Sequence, residues 1–176
     1  MVWCGLVGAG LWEIHAYATT PGASGAAGET WPATSAIPRA SDGFTIVMFV
    51  HPECPCSRAS LAELTGLVSS ARIRPSVVVA FAANEDGGAA WDLAGRIPGA
   101  VQMRDSGDEA ARFGARTSGH VVVYDREGVL RFTGGITSSR GHVGDNMGRR
   151  AVEALLAGDA TEAETHPVFG CALETP

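Results

Sequence analysis

Two unbroken apolar runs, at residues 46–50 and 77–81, flank a segment in which Leu61, Leu64, Leu67 and Val68 recur at helical spacing. Runs that are apolar at every position read as buried strands, and the segment between them, 57–70, reads as a helix. The result is a βαβ unit near the start of the folded part of the chain. Residues 89–96 form a short helix candidate, 100–104 a short strand and 108–113 a further short helix. Two strands at 121–124 and 129–132 then flank Asp125-Arg126-Glu127-Gly128, whose residues favour a turn, so a β-hairpin is expected. The last helix spans 146–157, with Met147, Ala151, Ala154 and Leu155 toward the core, an N-cap at Asp145 or Asn146, and Gly158 ending it.

The chain of 176 residues is long enough for one domain with extensions. Its net charge of −6 supplies no basic footprint, which argues against a nucleic-acid partner. All basic residues are arginine. Residues 1–18 are largely apolar, interrupted only by Glu13 and His15, and read as a truncated membrane anchor, shorter than the roughly 20 residues of a spanning helix. Residues 19–43, rich in Pro, Gly, Ala, Ser and Thr without periodicity, read as an extended linker. The folded domain is expected at 44–158, followed by a tail at 159–176 that carries Cys171.

The first strand runs directly into His51-Pro52-Glu53-Cys54-Pro55-Cys56-Ser57, so the cysteines stand where a helix opens. Unpaired N–H groups and the positive end of the helix dipole stabilise a thiolate there and make it nucleophilic near neutral pH. Four cysteines are too few for a disulfide scaffold, and their spacing is not that of a tetrahedral zinc site. Cys54 and Cys56 therefore point to catalytic or metal-handling use, while Cys4 reads as a small residue of the apolar run.

The order β-α-β-α-β-α-β-β-α, with cysteines at the first βα junction, resembles the thioredoxin fold over residues 44–158: a central mixed sheet flanked by helices. Cys54-Pro55-Cys56, the apolar start and Val168-Phe169-Gly170-Cys171 together resemble the membrane-tethered, extracytoplasmic thioredoxin-like proteins and, more narrowly, the RedB-type group. The resemblance implies a thiol–disulfide oxidoreductase without a cofactor, acting on protein thiols or disulfides, tethered to a membrane and facing the periplasm or cell exterior. It places Cys54 at the nucleophile and Ser57 where a second cysteine would stand. Resolution of a mixed disulfide then falls to Cys56 or to Cys171. Two residues along a helix point to opposite sides, so a Cys54–Cys56 bond requires a strained turn, and Cys171 requires a Cα separation below about 7 Å.

Thioredoxins carry a cis-proline in the loop facing the cysteines, where this chain has Gly119 and His120. In the copper-delivering Sco proteins, which share the fold, a histidine in this neighbourhood joins two cysteines to bind copper. The alternative reading is thus a copper-binding protein using Cys54, Cys56 and His120, with His51 a weaker fourth ligand; thiolates and imidazole suit copper. A thiol peroxidase fits less well, because His51 occupies the position of its upstream Thr or Ser. The glycine-rich segment 134–146 is expected to wall the site, with Arg140 stabilising negative charge and His142 shuttling protons.

Overall fold

The computed structural model describes residues 2–82, 88–159 and 162–173. Its centre is a six-stranded mixed sheet in the order β3-β2-β1-β4-β5-β6, built from β1 (Thr45–Val50), β2 (Ser76–Ala82), β3 (Ala100–Asp105), β4 (His120–Tyr124), β5 (Leu130–Gly135) and β6 (Glu164–Thr165). β1, β2 and β3 run parallel, β4 is antiparallel to β1 and to β5, and β6 lies parallel to β5. Every residue of β1 is buried, as its unbroken apolar run requires of a strand covered on both faces.

One face is covered by α2 (Ser57–Ser70), α3 (Gly88–Ala94) and α5 (Met147–Ala157), whose apolar residues interlock with Ile46, Met48, Val79, Val121 and Phe132. The opposite face, carrying Val47, Phe49, Val78, Val122 and Tyr124, is covered by α4 (Asp108–Arg112), by Ile37 and by Leu173 of the tail. Within α5 the inward residues are Ala151, Val152, Leu155 and Leu156. Met147, expected in the core, is the first residue of α5 and is 65 % exposed. Asn146 is the N-cap, accepting the Arg149 N–H at 2.9 Å, and Gly158 takes the left-handed conformation that closes the helix. The hairpin turn forms as expected: Gly128 is at φ 81°, and the Asp125 carboxylate accepts the Val129 N–H at 2.8 Å.

The segment expected to be a free linker, 19–43, is instead part of the domain. Trp31 makes edge contacts with Phe113 and Tyr124 at ring separations of 5.0 and 5.2 Å, and Ile37 is buried. Backbone bonds from Gly25 to Gly114, Trp31 to Gly128 and Leu130 to Glu29 hold the strap down, and Glu109 accepts from Ser35 Oγ and the Ala36 N–H. The strap supplies the apolar cover that α4, only five residues long, cannot provide alone. At the N-terminus, α1 (Val2–Thr19) buries none of its residues. Among the described residues no helix is long and apolar enough to cross a membrane.

Candidate functional site

The end of β1 turns through His51–Cys54 into α2. Cys54 N–H donates to the His51 carbonyl at 3.1 Å, and Ser57 N–H to the Cys54 carbonyl at 3.0 Å. Cys56 is the N-cap position of α2, so Cys54 sits in the turn just ahead of the helix, where the orphan N–H groups of the first turn point. Pro55 is exposed, Cys56 half-buried and Cys54 only 4 % exposed.

The tail covers Cys54. After β6, the His166 N–H donates to the Thr133 carbonyl, Val168 accepts from Gly22, and the chain crosses to the loop that precedes β4. There Thr117 and Ala172 form an antiparallel bridge: Ser118 N–H donates to the Cys171 carbonyl at 2.8 Å, and Leu173 N–H to the Arg116 carbonyl at 2.9 Å. This one-residue bridge anchors the tail and sets the Cys171 sulfur 2.9 Å from that of Cys54. Of the two candidate resolving residues, Cys171 is the one the backbone holds against Cys54.

Burial alone would raise the Cys54 thiol. Hydrogen bonding from the Cys171 side chain, together with the backbone of Cys171 and Cys56, outweighs that cost and holds Cys54 below the usual thiol range. Burial pushes the Cys171 thiol up to about 12, reinforced by its hydrogen bond to Cys54 and by negative charge there. Cys56 is also raised, by burial and then by the charge on Cys54. Of the two paired sulfurs, Cys54 therefore gives up its proton first and Cys171 holds its proton longer.

Ser57, standing where the resemblance would have a second cysteine, is 1 % exposed and ties the site together. Its hydroxyl donates to the His51 carbonyl at 3.1 Å and meets Ser118 Oγ at 2.9 Å, which in turn accepts the His51 N–H at 2.9 Å. Ser118 joins both networks, through its side chain to β1 and α2 and through its N–H to the tail. Gly119 is required by its φ of 89° and by space, since a Cβ there would fall 2.7 Å from Ser60 Oγ.

The Arg140 guanidinium is held by backbone carbonyls. Its Nε donates to the Tyr17 carbonyl at 2.9 Å, Nη2 to the Thr20 carbonyl at 3.4 Å and Nη1 to the Gly170 carbonyl, while the guanidinium lies 4.7 Å from the Tyr17 ring. It joins the end of α1 to the residue preceding Cys171, and its charge acts on the cysteines only through space. His142 is exposed on its loop and contributes no hydrogen bond to a cysteine among the described residues. The Nδ1 of His51 accepts the Glu53 N–H at 3.3 Å.

His120 is 1 % exposed, with Nε2 2.8 Å from Thr133 Oγ1 and Nδ1 without a hydrogen-bond partner. Burial pushes its pKa down to about 4. Strand alternation places it on the face of Val122 and Tyr124, whereas the helix that follows the cysteines packs on the other face. Among the described residues no three His, Cys, Asp or Glu side chains gather to hold a metal ion. Cys54, Cys56 and His120 thus do not assemble the copper cluster that the sequence suggested.

Sequence reasoning missed Glu63. Its carboxylate, 2 % exposed, pairs with Arg149 at 2.8 Å and accepts the Gly144 N–H at 2.5 Å, pinning the glycine-rich loop to α2. A glutamate beside Leu64 on an otherwise apolar helix face was the available signal. Ser118 was also missed, although it directly precedes Gly119 and His120.

No protein-family model and no curated protein matches the chain. Solved structures do. An uncharacterized conserved protein from Geobacillus kaustophilus superposes with a TM-score of 0.61 at 19 % identity, over 90 % of this chain and 93 % of that one. A hypothetical protein from Sinorhizobium meliloti 1021 gives 0.58 at 21 %, over 88 % and 93 %. A thioredoxin-like protein from Aeropyrum pernix gives 0.51 at 15 %, over 66 % and 78 %. The fold is thioredoxin-like, a central sheet flanked by helices as the sequence led one to expect.

Proposed function

We propose that this protein is a thiol–disulfide oxidoreductase whose redox pair is Cys54 and Cys171. The observation that carries the reading is the 2.9 Å approach of the two sulfurs, enforced by the strand pairing of the tail with Arg116–Ser118. A lowered Cys54 beside a protonated Cys171 is the asymmetry that exchange chemistry uses. On reduction of a partner's disulfide, one cysteine of the pair bonds to a partner sulfur and expels the other as thiolate. The second cysteine then displaces the remaining partner sulfur and closes Cys54–Cys171. The partner gains two electrons and leaves as a dithiol; oxidation of a dithiol partner is the reverse.

The partners are proteins bearing thiols or disulfides. The apolar, unburied α1 supports a membrane tether and an extracytoplasmic position, and the tail cysteine seated at the Cys-Pro-Cys turn supports kinship with the RedB-type group. A copper reading would need Cys54, Cys56 and His120 brought together, and among the described residues no three such side chains gather.

The test is mass mapping of alkylated thiols after equilibration of the metal-free protein across glutathione redox buffers. A reversible Cys54–Cys171 disulfide with a midpoint between about −120 and −270 mV is expected. Cysteines that stay reduced throughout would refute the reading.

A further inference from the structure

The two residues of the pair are unequally exposed. Cys54 lies beneath the tail at 4 % exposure, whereas Cys171 is half-buried and followed by the exposed Ala172. The tail is fixed in this position. Gly170 packs so tightly on the preceding loop that a Cβ would fall 2.0 Å from the Ser118 carbonyl oxygen. Arg140 donates to the Gly170 carbonyl, the Ser118 and Leu173 N–H groups complete the bridge, and the Leu173 side chain is buried on the sheet.

Disulfide exchange is a displacement at sulfur, in which the attacking thiolate must reach one sulfur of the bond while the other leaves. With the tail docked, Cys171 is the more exposed end of a Cys54–Cys171 bond. We propose that an incoming thiolate attacks Cys171 Sγ, so that the tail cysteine is the contact thiol and Cys54 is the internal leaving and resolving group. This rests on the oxidoreductase reading given above.

The partner thiolate bonds to Cys171 Sγ, the Cys54–Cys171 bond breaks, and its electron pair leaves on Cys54 as thiolate. A second thiol of a dithiol partner, after losing its proton, then attacks the partner's own sulfur in the mixed disulfide. The partner departs as a disulfide, and Cys171 takes up a proton. Two electrons have passed from the dithiol to the Cys54–Cys171 pair. In the reverse direction Cys54 thiolate attacks Cys171 Sγ of the mixed disulfide and frees the partner. In the first step the leaving-group chemistry agrees with the geometry, because the thiol of lower pKa leaves faster, and that thiol is Cys54.

These roles invert the assignment made from sequence, in which Cys54 met the substrate and another cysteine resolved. Phe169, two residues before Cys171, lines a cleft of about 370 Å³ together with His166, Pro167 and Met147.

The test uses the unmodified full chain, oxidised and then mixed with reduced glutathione. The reaction is quenched in flow with N-ethylmaleimide and the adducts are located by peptide mass mapping. Glutathione on Cys171 with maleimide on Cys54 is expected to exceed the reverse pattern by at least about tenfold. Glutathione mainly on Cys54, or equally on both, overturns the proposal and leaves the oxidoreductase reading standing. If no Cys54–Cys171 disulfide forms in the starting material, the oxidoreductase reading itself falls, and this proposal with it.

Discussion

Closing the Cys54–Cys171 bond should change the stability of the whole domain by an amount that identifies the bond. The two residues are 117 positions apart, so their disulfide closes a loop containing everything from α2 to the tail. Loop-closure entropy for that length corresponds to about 5 kcal/mol of stabilisation at 25 °C; a Cys54–Cys56 bond, closing two residues, would give about 1 kcal/mol. For a chain of this size each kcal/mol moves the melting midpoint by about 2–4 °C, so the two bonds predict shifts of about 10–20 °C and of a few degrees. Urea unfolding of the oxidised and the reduced chain, with thiols counted in each sample, separates them. The large shift is expected to survive Cys56→Ser and to vanish in Cys171→Ser. A shift near 1 kcal/mol in a fully oxidised sample, or one that depends on Cys56, would refute the pairing.

The remaining predictions concern protonation and packing. Cys171→Ala removes the hydrogen bond that lowers Cys54, so the pH midpoint for Cys54 alkylation should rise relative to a chain in which Cys56 alone is replaced; an unchanged midpoint would show that the tail thiol does not act on Cys54. Glu63→Ala removes the buried partner of Arg149 and the acceptor of the Gly144 N–H, and is expected to cost about 2–3 kcal/mol in urea unfolding. His120 titrates near 6.5 when unfolded and about 4 when folded, so the unfolded chain binds the proton first as pH falls. Stability is then fully present above pH 6.5 and declines by about 3 kcal/mol down to pH 4. His120→Gln should flatten that slope, and a slope unchanged by the substitution would contradict the buried, neutral imidazole.

The strands and helices of the sheet were legible because their signals are local. The apolar runs of β1 and β2 and the leucine spacing of α2 define those elements without knowledge of their neighbours. The hairpin was legible in Asp125–Gly128, although β5 runs on through Gly134 and Gly135, whose lack of side chains reads as loop. Those glycines are instead where the tail crosses: a Cβ on Gly134 would fall 2.2 Å from the His166 carbonyl oxygen.

What the sequence hid is long-range. Nothing in the Pro, Gly and Ala composition of residues 19–43 announces that Trp31 will lodge between Phe113 and Tyr124. The placement of Cys171 depends on backbone pairing with Arg116 and Ser118, which has no side-chain signature. Cys54 and Ser57 could be placed by their distance from the first strand, whereas the choice between Cys56 and Cys171 needed the tail's path. His120 misled for the same reason. Its place beside the loop was right, but which face of β4 it occupies is a matter of register, and one residue of register reverses the face.

Split between the first βα junction and the far end of the chain, the pair also imposes an order on synthesis. Cys54 leaves the ribosome 117 residues ahead of its partner and stands beside Cys56 until the tail follows. The long-range bond can form only after the strap, the sheet and the last helix have all been made. Its presence therefore certifies a complete domain, and a chain cut short before residue 171 is left with the reactive sulfur and without the cover that shields it.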